Sequence, residues 1–326
     1  MGRELGISLL RSCSLTVLNL AIINYSNIED GWECTLVNSL ARMASLTTLS
    51  LAIDDRGEVR KFESENDNLI ALKSLTTLSV VMNGSNLDEF WSNFLTKCLE
   101  GNTSMKKLWL VANNVEVERE SDIDFLADPS ERPEYWGEGL ADGLARTTSL
   151  NELALTINNI TSTDYHWATS VCKGLSNNES VTSLAVTVSD YHSLSAEEYA
   201  HFLEMGLTAN KSLTTLTLTV NDYSEFGWYK SWSRWPPLIY FLGFSLVEIT
   251  SLTELNLNLN ICSEVSEDWL TDIFDTFVES SSLTTLRLKV NNQCNTGESR
   301  LYDFSNLLLK SESLSSFELS VTFYGE

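Results

Sequence analysis

Residues equipped for acid–base or nucleophilic chemistry are scarce in this sequence. Its three histidines, His166, His192 and His201, lie far apart in no H-E-x-x-H metal motif, and no G-x-S-x-G nucleophile turn occurs. His201 reads as helical, and the other two fall in turns. The six cysteines (13, 34, 98, 172, 262 and 294) are never spaced C-x-x-C and read as reduced thiols, with a Cys262–Cys294 pairing left open. Residues 115–135 gather eight carboxylates against two arginines, but without the D-x-[DN]-x-[DN]-G spacing of a calcium loop. No G-x-x-x-x-G-K-[ST] loop is present to cradle a phosphate. The sequence therefore predicts no catalytic residue, no metal and no cofactor. Recognition chemistry remains, concentrated in GWYKSWSRWPP at 227–237, where Trp228, Tyr229, Lys230, Trp232 and Arg234 alternate aromatic and cationic groups.

The formal charge of −24 narrows the partners. Phosphate backbones and anionic membranes would be repelled, so nucleic acid and membrane surfaces are not expected, whereas basic proteins are allowed. No apolar run approaches a spanning helix of about 18 residues. Arg3, Glu4 and Arg11 interrupt the N-terminal apolar residues, which argues against a signal peptide, and a cytoplasmic location is expected. Six Asn-x-Ser/Thr sequons occur, three of which (Asn102, Asn178 and Asn210) belong to a recurring N-x-S motif.

The elements that must position these residues repeat. A Ser-Leu-like pair followed by alternating apolar residues recurs ten times, as SLTVLNLAI from Ser14, SLTTLSLAI from Ser45 and SLTTLTLTV from Ser212. Successive copies are 31, 29, 30, 45, 31, 32, 39, 31 and 31 residues apart, so the unit is 31 residues long with two insertions, at 115–135 and 223–237. Such a period marks a solenoid. After each anchor (the second residue of the pair) the apolar residues alternate, as a strand requires. Ahead of it they recur at helical spacing, with Leu144, Leu175 and Leu207 six residues before their anchors. Trp32, Trp91, Trp136, Trp167 and Trp269 share one register further upstream and read as packing between helix and sheet. Small residues (Ser39, Cys98, Gly143, Gly174, Gly206 and Ser245) precede the helical Leu, where they would let neighbouring helices approach.

The pattern L-x-x-L-x-L-x-x-N, as in Leu150, Leu153, Leu155 and Asn158, resembles the leucine-rich repeat. With one helix per unit it looks like the ribonuclease-inhibitor type. Lead-ins such as GLARTTSLNELAL and CLEGNTSMKKLWL are similar to the C-terminal repeats of animal NOD-like receptors. The resemblance implies one α/β solenoid over residues 1–326, a horseshoe with a parallel sheet on the concave face and helices on the convex face, acting by binding. It implies a protein or microbial ligand, or a basic protein partner if the chain acts as an inhibitor or scaffold. The asparagine register holds Asp54 in the second copy and Ser189 in the sixth, and is displaced at Asn83-Gly84 in the third, so a broken ladder is expected. Terminal repeats lack polar caps, which suggests a fragment or end-to-end self-association.

Outward strand positions fall two, four and six residues after each anchor. Twenty of these thirty are Ser, Thr, Ala or Asn, which anchor partners weakly. The exceptions form two candidate patches. Lys107, Trp109 and Val111 stand with Val81, and Arg287 and Lys289 stand with Glu254, Asn256, Asn258 and Glu318. Both insertions follow a strand and would project from the strand-exit edge.

Overall fold

The computed structural model describes residues 9, 14–24, 32–55, 72–83, 89–113, 136–158, 166–190, 206–222, 248–261, 277, 280–292 and 311–323. Within these, the side chains at the starts of the helices and at several strand ends lie outside the description. Among the described residues there are ten strands: β1 (Val17–Asn24), β2 (Thr48–Asp55), β3 (Thr77–Asn83), β4 (Lys107–Asn113), β5 (Glu152–Asn158), β6 (Ser183–Asp190), β7 (Thr215–Asp222), β8 (Glu254–Ile261), β9 (Thr285–Asn292) and β10 (Ser316–Phe323). Each begins two residues after its anchor. Four helices are described: α1 (Trp32–Ala41), α2 (Glu89–Glu100), α3 (Trp136–Arg146) and α4 (His166–Ser176).

The strands form one sheet in chain order, all parallel. Parallel neighbours need a crossover, and α1 supplies it between β1 and β2, α2 between β3 and β4, α3 between β4 and β5 and α4 between β5 and β6. The register carries no stagger: Thr48 pairs with Thr77, Thr77 with Lys107 and Lys107 with Glu152, and so on to Ser316. The chain is an α/β leucine-rich-repeat-like solenoid.

One continuous core runs between helices and sheet. Each interior repeat contributes its anchor and the alternate strand residues, such as Leu150, Leu153, Leu155 and Ile157, all buried. Burying one such side chain stabilises by about 1.5–3 kcal/mol, which the entropy of chain ordering largely offsets. At the two sheet edges the equivalent residues, Leu18 and Leu20 in β1 and Phe317 and Leu319 in β10, are only partly covered.

Small residues set the helix spacing, as the pattern suggested. A Cβ on Gly174 would stand 2.6 Å from the Ala141 carbonyl oxygen and 2.8 Å from its Cα. A Cβ on Gly206 would meet Cys172 Cβ and Sγ at 2.6 Å, and one on Gly143 would meet Leu99 Cδ1 at 2.8 Å. Thr96 Oγ1 donates to the Gly139 carbonyl at 2.7 Å, and Arg146 pairs with Glu100, both joining α2 to α3.

The recurring polar residues tie each repeat to the one before. Thr47 N and Thr48 N both donate to Thr16 O, at 2.8 and 3.0 Å, and Thr47 Oγ1 adds a bond of 3.1 Å. The same backbone fork recurs at every later copy through Ser316. The Ser of the anchor pair also reaches back, as Ser45 Oγ to Leu15 O and Ser74 Oγ to Leu46 O, each at 2.8 Å.

Three sequence expectations meet this structure differently. Trp32, Trp91 and Trp136 lie in the first turns of their helices and Trp167 follows the first residue of α4, but their side chains, and Trp269 entirely, are outside the described residues. His166, expected in a turn, is the first residue of α4. The apolar periodicity only starts at Trp167, so it could not mark the residue that opens the helix. Asn83, expected to be displaced, pairs in register with Asp54 and Asn113. The glycine after it, read as a shift, follows the end of the strand.

Candidate functional site

The face of the sheet opposite the helices is built from four rows of side chains. They stand two, four, six and eight residues after the anchors, since alternation continues through the last of these positions. The outermost row is the asparagine register. Asn113 Nδ2 donates to Asn83 Oδ1 and Asn158 Nδ2 to Asn113 Oδ1, both at 2.6 Å. A second run passes from Asn221 to Ser189 Oγ at 2.9 Å, then from Asn260 to Asn221 and from Asn291 to Asn260 at 2.5 Å. The ladder that was expected to be broken is thus two long runs, with Ser189 serving as acceptor for one of them. A hydroxyl accepts a hydrogen bond as well as an amide oxygen does.

On this polar, short-chained surface Trp109 is the exception. It is 45% exposed, and with Val17 it is one of two large apolar side chains exposed among the described residues. Its cross-strand partners are Ser79 and Ala154, and Ala185 lies beyond in the same row. None is long enough to cover an indole. Val111 and Val81 stand together in the next row, both half-buried. Lys107 is at the base of the same strand, its Nζ 2.8 Å from Glu152 Oε2 on β5. The first candidate patch is therefore one contiguous group on β3, β4 and β5.

The second patch is a charge network. Arg287 pairs with Glu254, donates to Asn256 Oδ1 at 3.1 Å and lies 3.5 Å from Glu318 across β10. Lys289 is exposed in the next row, between Asn258 and Ser320. Arg287 is thus engaged by its own sheet, and Lys289 is the more available cation. These cross-strand pairs join residues more than thirty positions apart that the repeat pattern had grouped in one patch, and the structure shows which of them engage Arg287. The third candidate group, Trp228, Tyr229, Lys230, Trp232 and Arg234, lies outside the described residues, as does the acidic segment 115–135.

The N-x-S motif has a structural task that sequence reading missed. Asn178 is 2% exposed. Its Nδ2 donates to Leu144 O at 2.6 Å and Thr147 O at 3.1 Å, while its Oδ1 accepts from Ser180 N at 2.8 Å and Val181 N at 2.7 Å. Asn102 and Asn210 are buried in the same four-bond arrangement. Each clamps the turn before its strand onto the preceding repeat. Both amide protons are used internally, so in the folded state these three sequons present no free nitrogen for glycosylation. The signal was the recurrence of the motif three residues before the anchor.

Among the described residues, no group of three or more His, Cys, Asp or Glu side chains is placed to hold a metal, and no helix is long and apolar enough to cross a membrane. Cys98 and Cys172 are buried thiols outside any disulfide, and burial pushes both well above the usual thiol range. At Cys172 a hydrogen bond from the Gly206 backbone offsets part of that rise.

No family model matches the sequence. A search of curated proteins finds no match either. Among solved structures, the chain is similar to a tropomodulin C-terminal domain from Caenorhabditis elegans at 19% identity, covering 54% of this chain and 92% of that one with a TM-score of 0.35.

Proposed function

We propose that this chain is a non-catalytic recognition domain that binds a protein ligand across the open face of its sheet, anchored at Trp109. The observation that carries this reading is an indole 45% exposed among residues too short to cover it. Aromatic anchors ringed by energetically quiet contacts are the usual arrangement of a binding hot spot. On the resemblance of its repeat lead-ins, the domain is the ligand-sensing portion of a cytoplasmic NOD-like innate immune receptor, with a protein or microbial ligand. The aromatic insertion at 223–237 is the second contact of this reading.

The charge of −24 supports a second reading, an inhibitor or scaffold for a basic protein. Binding that weakens steeply with added salt distinguishes it from the first.

Photo-crosslinking tests the surface. A crosslinking residue at Thr156 on the open face is expected to capture a partner, and one at Lys97 on helix α2 is not. Replacing Trp109, Trp228 and Trp232 together by Ala is expected to abolish capture at position 156 without lowering the unfolding midpoint. Adducts from position 97 alone, or undiminished capture by the triple variant, refute this reading.

A further inference from the structure

Resting on the open recognition face anchored at Trp109 and on the basic partner of the second reading, we infer that Trp109 and Glu152 form a receptor for an arginine side chain of that partner, and that Lys107 is its built-in competitor. Lys107 and Glu152 are directly paired across β4 and β5, and Trp109 follows Lys107 by two residues on the same face. Trp109 and Glu152 are therefore diagonal neighbours, one strand spacing and two residues of rise apart, or about 8 Å at Cα, and within reach of one planar cationic group. Ala154 and Ala185 leave space beside the indole.

The carboxylate is already satisfied by a cation of this chain: Lys107 Nζ lies 2.8 Å from Glu152 Oε2. Both side chains are more than 40% exposed, so the pair is held weakly and exchanges readily. An incoming guanidinium has two advantages over the resident ammonium. Its planar fork binds both carboxylate oxygens, and its face stacks on the indole, the best of the aromatic partners for a cation. An incoming lysine would gain only the second, less effectively, and would displace a like group from Glu152. Lys107 thus keeps the carboxylate occupied in the free protein and sets a threshold that favours arginine over lysine. The occupant's positive charge matches the −24 of the whole chain.

The test is calorimetric titration with two Gly/Ser-spaced peptides of equal length and charge, one carrying arginines and one lysines. The lysine peptide controls for attraction to the overall negative charge. Wild-type protein is expected to bind the arginine peptide at least fivefold more tightly. Trp109→Ala and Glu152→Gln should each bring the arginine peptide down to the lysine level. Lys107→Met should strengthen arginine-peptide binding severalfold, and thermal melts check that each variant folds. Equal affinity for the two peptides, an unchanged Glu152→Gln, or weaker binding by Lys107→Met overturns the arginine receptor. If any of these occurs while capture at position 156 persists, the open face still recognises a partner and only the arginine assignment falls. Failure of the chain with Trp109, Trp228 and Trp232 intact to capture any partner at that position would instead remove the recognition reading.

Discussion

Replacing Asn178 by Ala gives the sharpest test of how the repeats are held together. The substitution deletes two donated and three accepted hydrogen bonds at a site 2% exposed. Thr147 O keeps a partner, because Ser180 Oγ also donates to it at 3.2 Å. Leu144 O, Ser180 N and Val181 N each lose the bond that Asn178 makes with them. At about 1 kcal/mol or more for each buried group so deprived, the loss is about 3 kcal/mol. Asn177 supplies the control, being the same residue type one position earlier but exposed, with its amide donating to Lys173 O at 2.8 Å. Asn177→Ala should cost about 0.5 kcal/mol or less. Urea unfolding followed by circular dichroism measures both. Hydrogen exchange at the Ser180 and Val181 amides localises the effect, since a solenoid can open in parts. If Asn178→Ala costs no more than Asn177→Ala, or leaves exchange at those two amides unchanged, the clamp reasoning is wrong.

Three further outcomes are expected. Gly174→Ala should destabilise by about 2–3 kcal/mol, because its methyl meets the Ala141 backbone, and by more than Gly143→Ala, whose nearest obstacle is the movable end of Leu99; urea midpoints rank the two. Thr147 occupies the clamp position of the fifth repeat with its buried hydroxyl unpartnered, so Thr147→Asn should stabilise by about 1 kcal/mol in the same assay. Cys98 and Cys172 should resist alkylation at pH 8 until the protein unfolds, as mass spectrometry would show. With their folded-state pKa raised, their relative stabilisation is complete below the ordinary thiol pKa. It declines at higher pH, where only the unfolded chain ionises.

The sequence made the sheet legible to the residue. Each strand starts two residues after its anchor because a two-residue alternation repeated ten times leaves one consistent register. Gly143, Gly174 and Gly206 were also legible, since the absence of a side chain at a fixed step in a helical stripe has a steric meaning. Trp109 could be placed outward by counting parity along β4. Register and parity do not report side-chain distances, so the Lys107–Glu152 pair and the engagement of Arg287 by Glu254, Asn256 and Glu318 came only with the structure. The task of Asn178 was hidden for another reason. Its partners are backbone carbonyls and amides, which every residue carries, so no side-chain pattern announces them.

The unstaggered register also makes the sheet a ruler. Because rows run straight across the strands, any two side chains of one row are separated by a whole number of strand spacings, each about 4.8 Å. Trp109 and Arg287 belong to the same row on β4 and β9, five rungs apart, or about 24 Å along the sheet. A helix of about 16 residues spans that interval. A body that touches both must carry its two contact points at that separation, while a shorter one must choose an end. Lengthening the strand-exit segments leaves these graduations untouched, whereas adding or removing one whole repeat between β4 and β9 moves the marks by a single rung.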